Sequence, residues 1–335
     1  MGKLMWKNFC SVVLFLALIF AQGMCGTAWA ANHTWNNYRP PVVSDGDTVI
    51  ISDTPRGTLV VPAGATISVA GTASRDVLSA LHFEVPADAT VVWSATFTGN
   101  AGSMSALVTG GTSEGTFYIA GGKIEVTGGG DWSGRGGTAV NGFHNVIVNG
   151  GTVNGATGIA ISSFGNITVN DGTINSTRST AINNNGRGNI TVNGGTISST
   201  SSAAITNNSG NVTVNGGTIS SEEGSAINNQ NGEVIINGGA ITGGHNTITA
   251  QNIKVNNGEI NAAEGSAIFG SRSVTVNGGT ISGGGRTSLG EASAISSPYD
   301  ITISAGTINS RTKEAVRARG EVYISGNATI NIIPQ

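Results

Sequence analysis

The chain is poor in the residues that usually organise a protein of this size. It has two cysteines in 335 residues, Cys10 and Cys25, and both fall in the first thirty. If that segment is removed, neither a disulfide nor a cysteine-based metal site is available. Charged residues make up 10% of the chain and aromatics 5%, against a usual charged share of about 25%. No basic stripe is present to neutralise phosphates, which argues against nucleic acid as a partner. Apart from "FCSVVLFLALIF", no long apolar run exists, and that run is short of the ~20 residues a membrane span needs. Lys3 and Lys7 before it and "AWA" at 28–30 after it give the pattern of a secretory signal peptide cleaved after Ala30. Cys25 does not read as a lipidation site, because the preceding "QGM" lacks the usual small residue. The expected mature chain is secreted, extracellular or at the cell surface. It keeps 14 of the 16 basic residues against 19 acidic ones, a net charge near −5.

Glycine, asparagine, serine and threonine fill the space left by charge, and they are periodic. "ITVNGGTI" at 190–197 returns as "VTVNGGTI" at 212–219 and 274–281 and as "ITVNDGTI" at 167–174. Successive copies open at Asn145, Asn166, Asn189, Asn211, Glu233, Asn252, Ser273, Asp300 and Glu321, at intervals of 19 to 27 residues, mostly 21 to 23. A period in that range predicts a solenoid. Within each copy, apolar and polar residues alternate as in a strand. A second short strand follows "NGG", and a third carries "AI" or "AV" seven residues after the second. The reading is all-β: a single-stranded right-handed parallel β-helix with three short strands per coil of about 21–22 residues. Residues 1–30 are the leader, 31–41 an extended segment, 42–115 irregular N-terminal coils with the cap, and 116–335 the regular repeats.

The turn between the first two strands never changes length. It ends on Gly151, Gly172, Gly195, Gly217, Gly239, Gly258, Gly279 and Gly306, which predicts a left-handed backbone there. The preceding position holds glycine, Asp171 or Asn257, residues that also tolerate that conformation; Ala305 is the exception and predicts altered local geometry. Asn149, Asn170, Asn193, Asn215, Asn237, Asn256 and Asn277 form a column expected to stack as an amide ladder.

With these rungs in view, the chain resembles the pectin-lyase-like right-handed parallel β-helix superfamily. Its "VNGGTI" copies resemble repeat regions of bacterial adhesin-like and autotransporter-passenger-like surface proteins. The reading that follows is a non-enzymatic surface protein binding a polysaccharide or a host or cell-surface glycan; no metal-ligand spacing is present, and no cofactor is expected. A polysaccharide lyase or hydrolase and an inert surface rod are the alternatives. The chain has no "LPxTG" signal and ends at "NIIPQ", so a partner or a further segment is expected to cover the last coil.

Candidate catalytic pairs are scarce. Asp171 and Asp300 lie on one side but six coils apart, roughly 29 Å at strand spacing. Glu223, Glu264 and Glu291 fall near one column, and His245, a ligand-binding candidate, sits in the same turn. The threonines at 168, 191, 213, 275 and 302 form an outward row resembling ice-binding β-helices, but Ile147, Ile235, Lys254 and Tyr323 interrupt it. Function on a solenoid is sought where the repeat fails. Two long loops, 127–137 and 282–292, break the spacing, and the first carries Trp132 and Arg135. Phe143 and Phe164, read as equivalent positions in adjacent coils, and His144 are the remaining ligand-binding candidates.

Overall fold

The computed structural model describes residues 30–36, 39–75, 80–101, 106–111, 114–128, 136–287 and 290–333. Alternation of β-branched and small polar residues leaves each short segment one choice: bury every second side chain against the same segment of the next coil. The result is a parallel β-solenoid of about 12 turns, with no helix among the described residues. Its coil arrangement is that of the expected β-helix.

Three parallel faces run along the axis. On face one, Val146, Ile167, Ile190, Val212, Val234, Ile253, Val274 and Ile301 pair in succession. Face two stacks Val153, Ile174, Ile197, Ile219, Ile241, Ile260, Ile281 and Ile308. Face three stacks Val140, Ile161, Ile182, Ile205, Ile227, Ile248, Ile268 and Ile295. All of these side chains are buried and form one continuous core. Like pairs with like, so the outward row also aligns as read: Ile147, Thr168, Thr191, Thr213, Ile235, Lys254, Thr275, Thr302 and Tyr323 follow one another.

The N-terminal coils obey the same pairing with a different filling. Asn32–Trp35, inside the stretch read as an extended segment, adds in parallel to Thr48–Ile51. Here the core is aromatic. Trp35 packs edge-on to Phe83 at 5.9 Å, Phe83 meets Phe117 at 6.2 Å, and Phe117 stacks on Phe143 at 4.4 Å. Trp35 and Trp93 bury their rings, and each satisfies its indole N–H on a backbone carbonyl, of Arg56 and Ala95, as buried indoles must.

The turn glycines are left-handed as expected, with φ from +76° at Gly151 to +108° at Gly258. The position before them is not. Among the described residues the one non-glycine with positive φ is Asp53, so Asp171, Asn257 and Ala305 hold ordinary backbone. Small residues recur there because of crowding: a Cβ on Gly216 would lie 2.9 Å from the Asn193 carbonyl oxygen of the coil below. At Ala305 the chain stays extended, within the strand Ile301–Ser310, and pairs with Asn327 after a register shift.

Candidate functional site

The corner that follows face three differs from coil to coil. In the early coils it opens into a groove of about 540 Å³ lined by Val60, His82, Glu84, Val85, Pro86, Ala87, Gly110 and Glu114. Strand pairing puts these residues together: Thr58 pairs with His82 and Val60 with Glu84, then His82 with Thr109. The floor is low because two glycines leave it so. A Cβ on Gly110 would sit 2.6 Å from the Phe143 ring, and one on Gly111, at φ +59°, 2.6 Å from His82 Cε1. Val60 and the two glutamates face solvent, while His82 is half-buried. The groove offers two carboxylate acceptors, an imidazole and apolar surface from Val60 and Pro86. These residues come from three coils without a shared pattern, and no repeat marks them in the sequence.

Phe143 and Phe164 prove not to be equivalent. Gly142, at φ +80°, is an extra residue that shifts the register, so Asn141 pairs with Ser162 but Phe143 pairs with Ser163. The bulge turns Phe143 inward, where it is fully buried on Phe117. Phe143 is therefore core and not ligand-binding. Phe164, one residue beyond that register, stays 54% exposed. His144 is also exposed, one coil earlier at the same corner. The corner thus carries Val60, Glu84, Gly110, His144 and Phe164 in five successive coils, a strip of roughly 19 Å at strand spacing.

Trp132 and Arg135 lie outside the described residues, as does most of the 127–137 loop. The second long loop is a small antiparallel hairpin in which Arg286 pairs with Glu291 along the backbone. It lifts Glu291 out of the column: Gly284 follows the Glu264 coil, its N–H bonded to the Gly265 carbonyl. His245 does find an acid, but in the next coil. Its Nδ1 is 3.8 Å from Glu264 Oε2, with both side chains more than 60% exposed. An open pair at that distance contributes little. Among the described residues no group of three or more His, Cys, Asp or Glu side chains is placed to hold a metal, and no helix is long and apolar enough to cross a membrane.

Asp171 and Asp300 have structural employment. Asp171 Oδ1 accepts the Gly172 N–H at 2.8 Å, and Asp300 Oδ1 accepts the Glu321 N–H at 2.9 Å. The asparagine column is a continuous ladder. Each Nδ2 donates to the Oδ1 of the coil before, at 3.2 Å for Asn170 to Asn149 and 2.7–2.9 Å from Asn193 through Asn277. Ser304 ends it by donating to Asn277 Oδ1 at 3.1 Å. The ladder runs along the outside of the corner, mostly in solvent.

The buried polar network lies at two other corners. Asn184, Asn207 and Asn229 point inward after face three and donate to backbone carbonyls. Ser176, Ser199 and Ser221 do the same after face two, on the carbonyls of Gly158, Ser179 and Ser202. The signal for the first row was available: asparagine two places after the "AI" isoleucines 182, 205 and 227, at 184, 207 and 229.

Geometry therefore defines the class, a parallel β-solenoid assembled from a repeat of mostly 21 to 23 residues. Comparison with known proteins adds no family to this: no family model matches the chain, and neither the curated proteins nor the solved structures include a significant match.

Proposed function

We propose that the chain is a secreted or surface-exposed β-helical protein, adhesin-like and of the pectin-lyase-like type, that holds a glycan along the corner after face three without cleaving it. The observation that supports this reading is the continuity of that corner. A groove with two carboxylates and an imidazole leads, two coils on, to an exposed aromatic ring. Sugars present hydroxyls at their edges and apolar C–H faces. Carboxylates and imidazole meet the first; Val60, Pro86 and Phe164 meet the second. A strip of about 19 Å matches an extended oligosaccharide better than a compact metabolite.

Binding to a panel of neutral and acidic glycans tests the reading. Phe164→Ala and Glu84→Gln are each expected to weaken binding of a retained glycan at least about tenfold, near 1.4 kcal/mol. Binding unaffected by either substitution would remove the corner from consideration. One observation favours a second reading, a polysaccharide lyase or hydrolase: His82, Glu84 and Glu114 line the same groove, and such groups do acid–base work. Chain cleavage of a polysaccharide that is lost in Glu84→Gln would favour the enzyme. The absence of both binding and cleavage would leave a structural rod.

A further inference from the structure

At the end of the solenoid that carries the first coil, one carboxylate is buried where nothing in the repeat calls for it. Asp47 is 5% exposed. Its Oδ1 accepts the backbone N–H of Ala31 at 2.7 Å, and its Oδ2 accepts the N–H of Ser44 at 2.8 Å and lies 2.8 Å from His33 Nε2. Ala31 is fixed on its other side as well, its carbonyl accepting the Thr48 N–H at 2.8 Å. The neighbouring Asp45 is committed elsewhere, to the Thr66 N–H. Ala30 is exposed.

The nitrogen that touches Asp47 is also the one a signal peptidase would set free. Hydrolysis after Ala30 adds water across the Ala30–Ala31 peptide bond: Ala30 departs as a carboxylate, and Ala31 keeps the nitrogen, which takes up a proton at neutral pH. A neutral amide donor becomes a cation 2.7 Å from a buried anion. We propose that Asp47, with His33 and the Ser44 N–H, forms a receptor for the chain's own processed N-terminus, clamping the Ala31 α-ammonium as an ion pair. This rests on leader removal after Ala30, and is independent of any glycan. The amide contact is already charge-assisted by the carboxylate; the ammonium adds a full positive charge beside a buried anion, where opposite charges are screened much less than at the surface. Asn32–Trp35, the strand that covers the first coil, is therefore held more firmly after processing than before it. The precursor carries a weaker cap than the product.

The test starts from the full chain, expressed with its leader. Mass spectrometry of the exported protein is expected to find Ala31 at the N-terminus; any other N-terminus overturns the proposal without touching the glycan reading. Limiting acetylation at pH 7, read on the N-terminal peptide, then reports the clamp. The Ala31 amine of the folded protein is expected to react about tenfold more slowly than in denaturant, the equivalent of one unit of added basicity. Asp47→Asn keeps the shape and removes the charge, and is expected to bring the rate back to that of the denatured chain. If that variant does not fold, a chain starting at Ala30 moves the amine one residue away; it should react freely and melt below the Ala31 chain. Equal rates in folded and denatured protein, or no difference between the Ala30 and Ala31 chains, would overturn the clamp.

Discussion

Asn184 and Asn193 present the same amide in two surroundings. Asn184 is fully buried; its Nδ2 donates to the carbonyls of Gly165 and Gly188, and its Oδ1 accepts the Gly186 N–H. Asn193 is exposed and bonds only to its ladder neighbours among the side chains. Asn184→Ala strands buried backbone groups and is expected to cost about 1–3 kcal/mol, whereas Asn193→Ala, where water replaces the partner, should cost at most about 1 kcal/mol. Denaturant titration of the two variants measures the difference. Glycines divide in the same way. Gly195 has φ +77° and its added Cβ would lie 2.7 Å from the Gly172 carbonyl oxygen, so Gly195→Ala is expected to cost roughly 1–3 kcal/mol. Gly216 meets only the second of these obstacles, and its column already accepts Asp171, Asn257 and Ala305. Gly216→Ala should be the milder change by melting temperature.

Strands show why composition did not reveal which phenylalanine is exposed. A single inserted residue reverses the side a strand residue faces, because its period is two. Gly142 is that residue, and it places Phe143 in the core while Phe164 remains outside. Phe143→Ala is expected to cost about 3–5 kcal/mol, and Phe164→Ala, on the surface, within about 0.5 kcal/mol. Equal losses would contradict the bulge. The first strand makes a second case. Burial would raise the Asp47 carboxyl, but the N–H groups of Ala31 and Ser44, together with His33, hold it below its ordinary value. A depressed folded value means that this group stabilises the first coil above the ordinary carboxylate pKa of about 3.9. That contribution is lost as pH falls through the lower, folded value. Unfolding of the wild type and Asp47→Asn should therefore differ at neutral pH and converge in acid.

Along the whole solenoid the strands of each coil pair only with those of adjacent coils, so stability is distributed coil by coil, although the Arg311 side chain reaches two coils back to the Ala262 and Ala263 carbonyls. Central coils are covered on both sides. The last strand, Val322–Ile332, covers Ile301, Ile303 and Ile308, yet its own Val322, Ile324, Ile330 and Ile332 stand 38–52% exposed. Amide hydrogen exchange is expected to be slowest in the strands between Ile190 and Gly283 and fastest in Val322–Ile332. Uniform protection across the two regions would show that the final coil is covered in solution. The strip proposed to hold a glycan belongs to this scale too, since its residues span 60 to 164 and meet only because successive coils stack.

The repeat was enough to determine the class, the three faces, the core columns, the left-handed glycines and the outer asparagine ladder. Each depends on residues a fixed distance apart in the chain, and parallel stacking turns that distance into contact. What the repeat could not determine lies where that translation fails. The groove of Val60, His82, Glu84 and Glu114 comes from coils with no common motif. The aromatic core from Trp35 to Phe143 depends on size matching across those same irregular coils. Asp47 meets Ala31 sixteen residues away through a first turn that is not repeated. Tertiary structure decided these because local periodicity fixes which face a side chain takes only while the count is unbroken. One extra glycine at 142 was enough to break it.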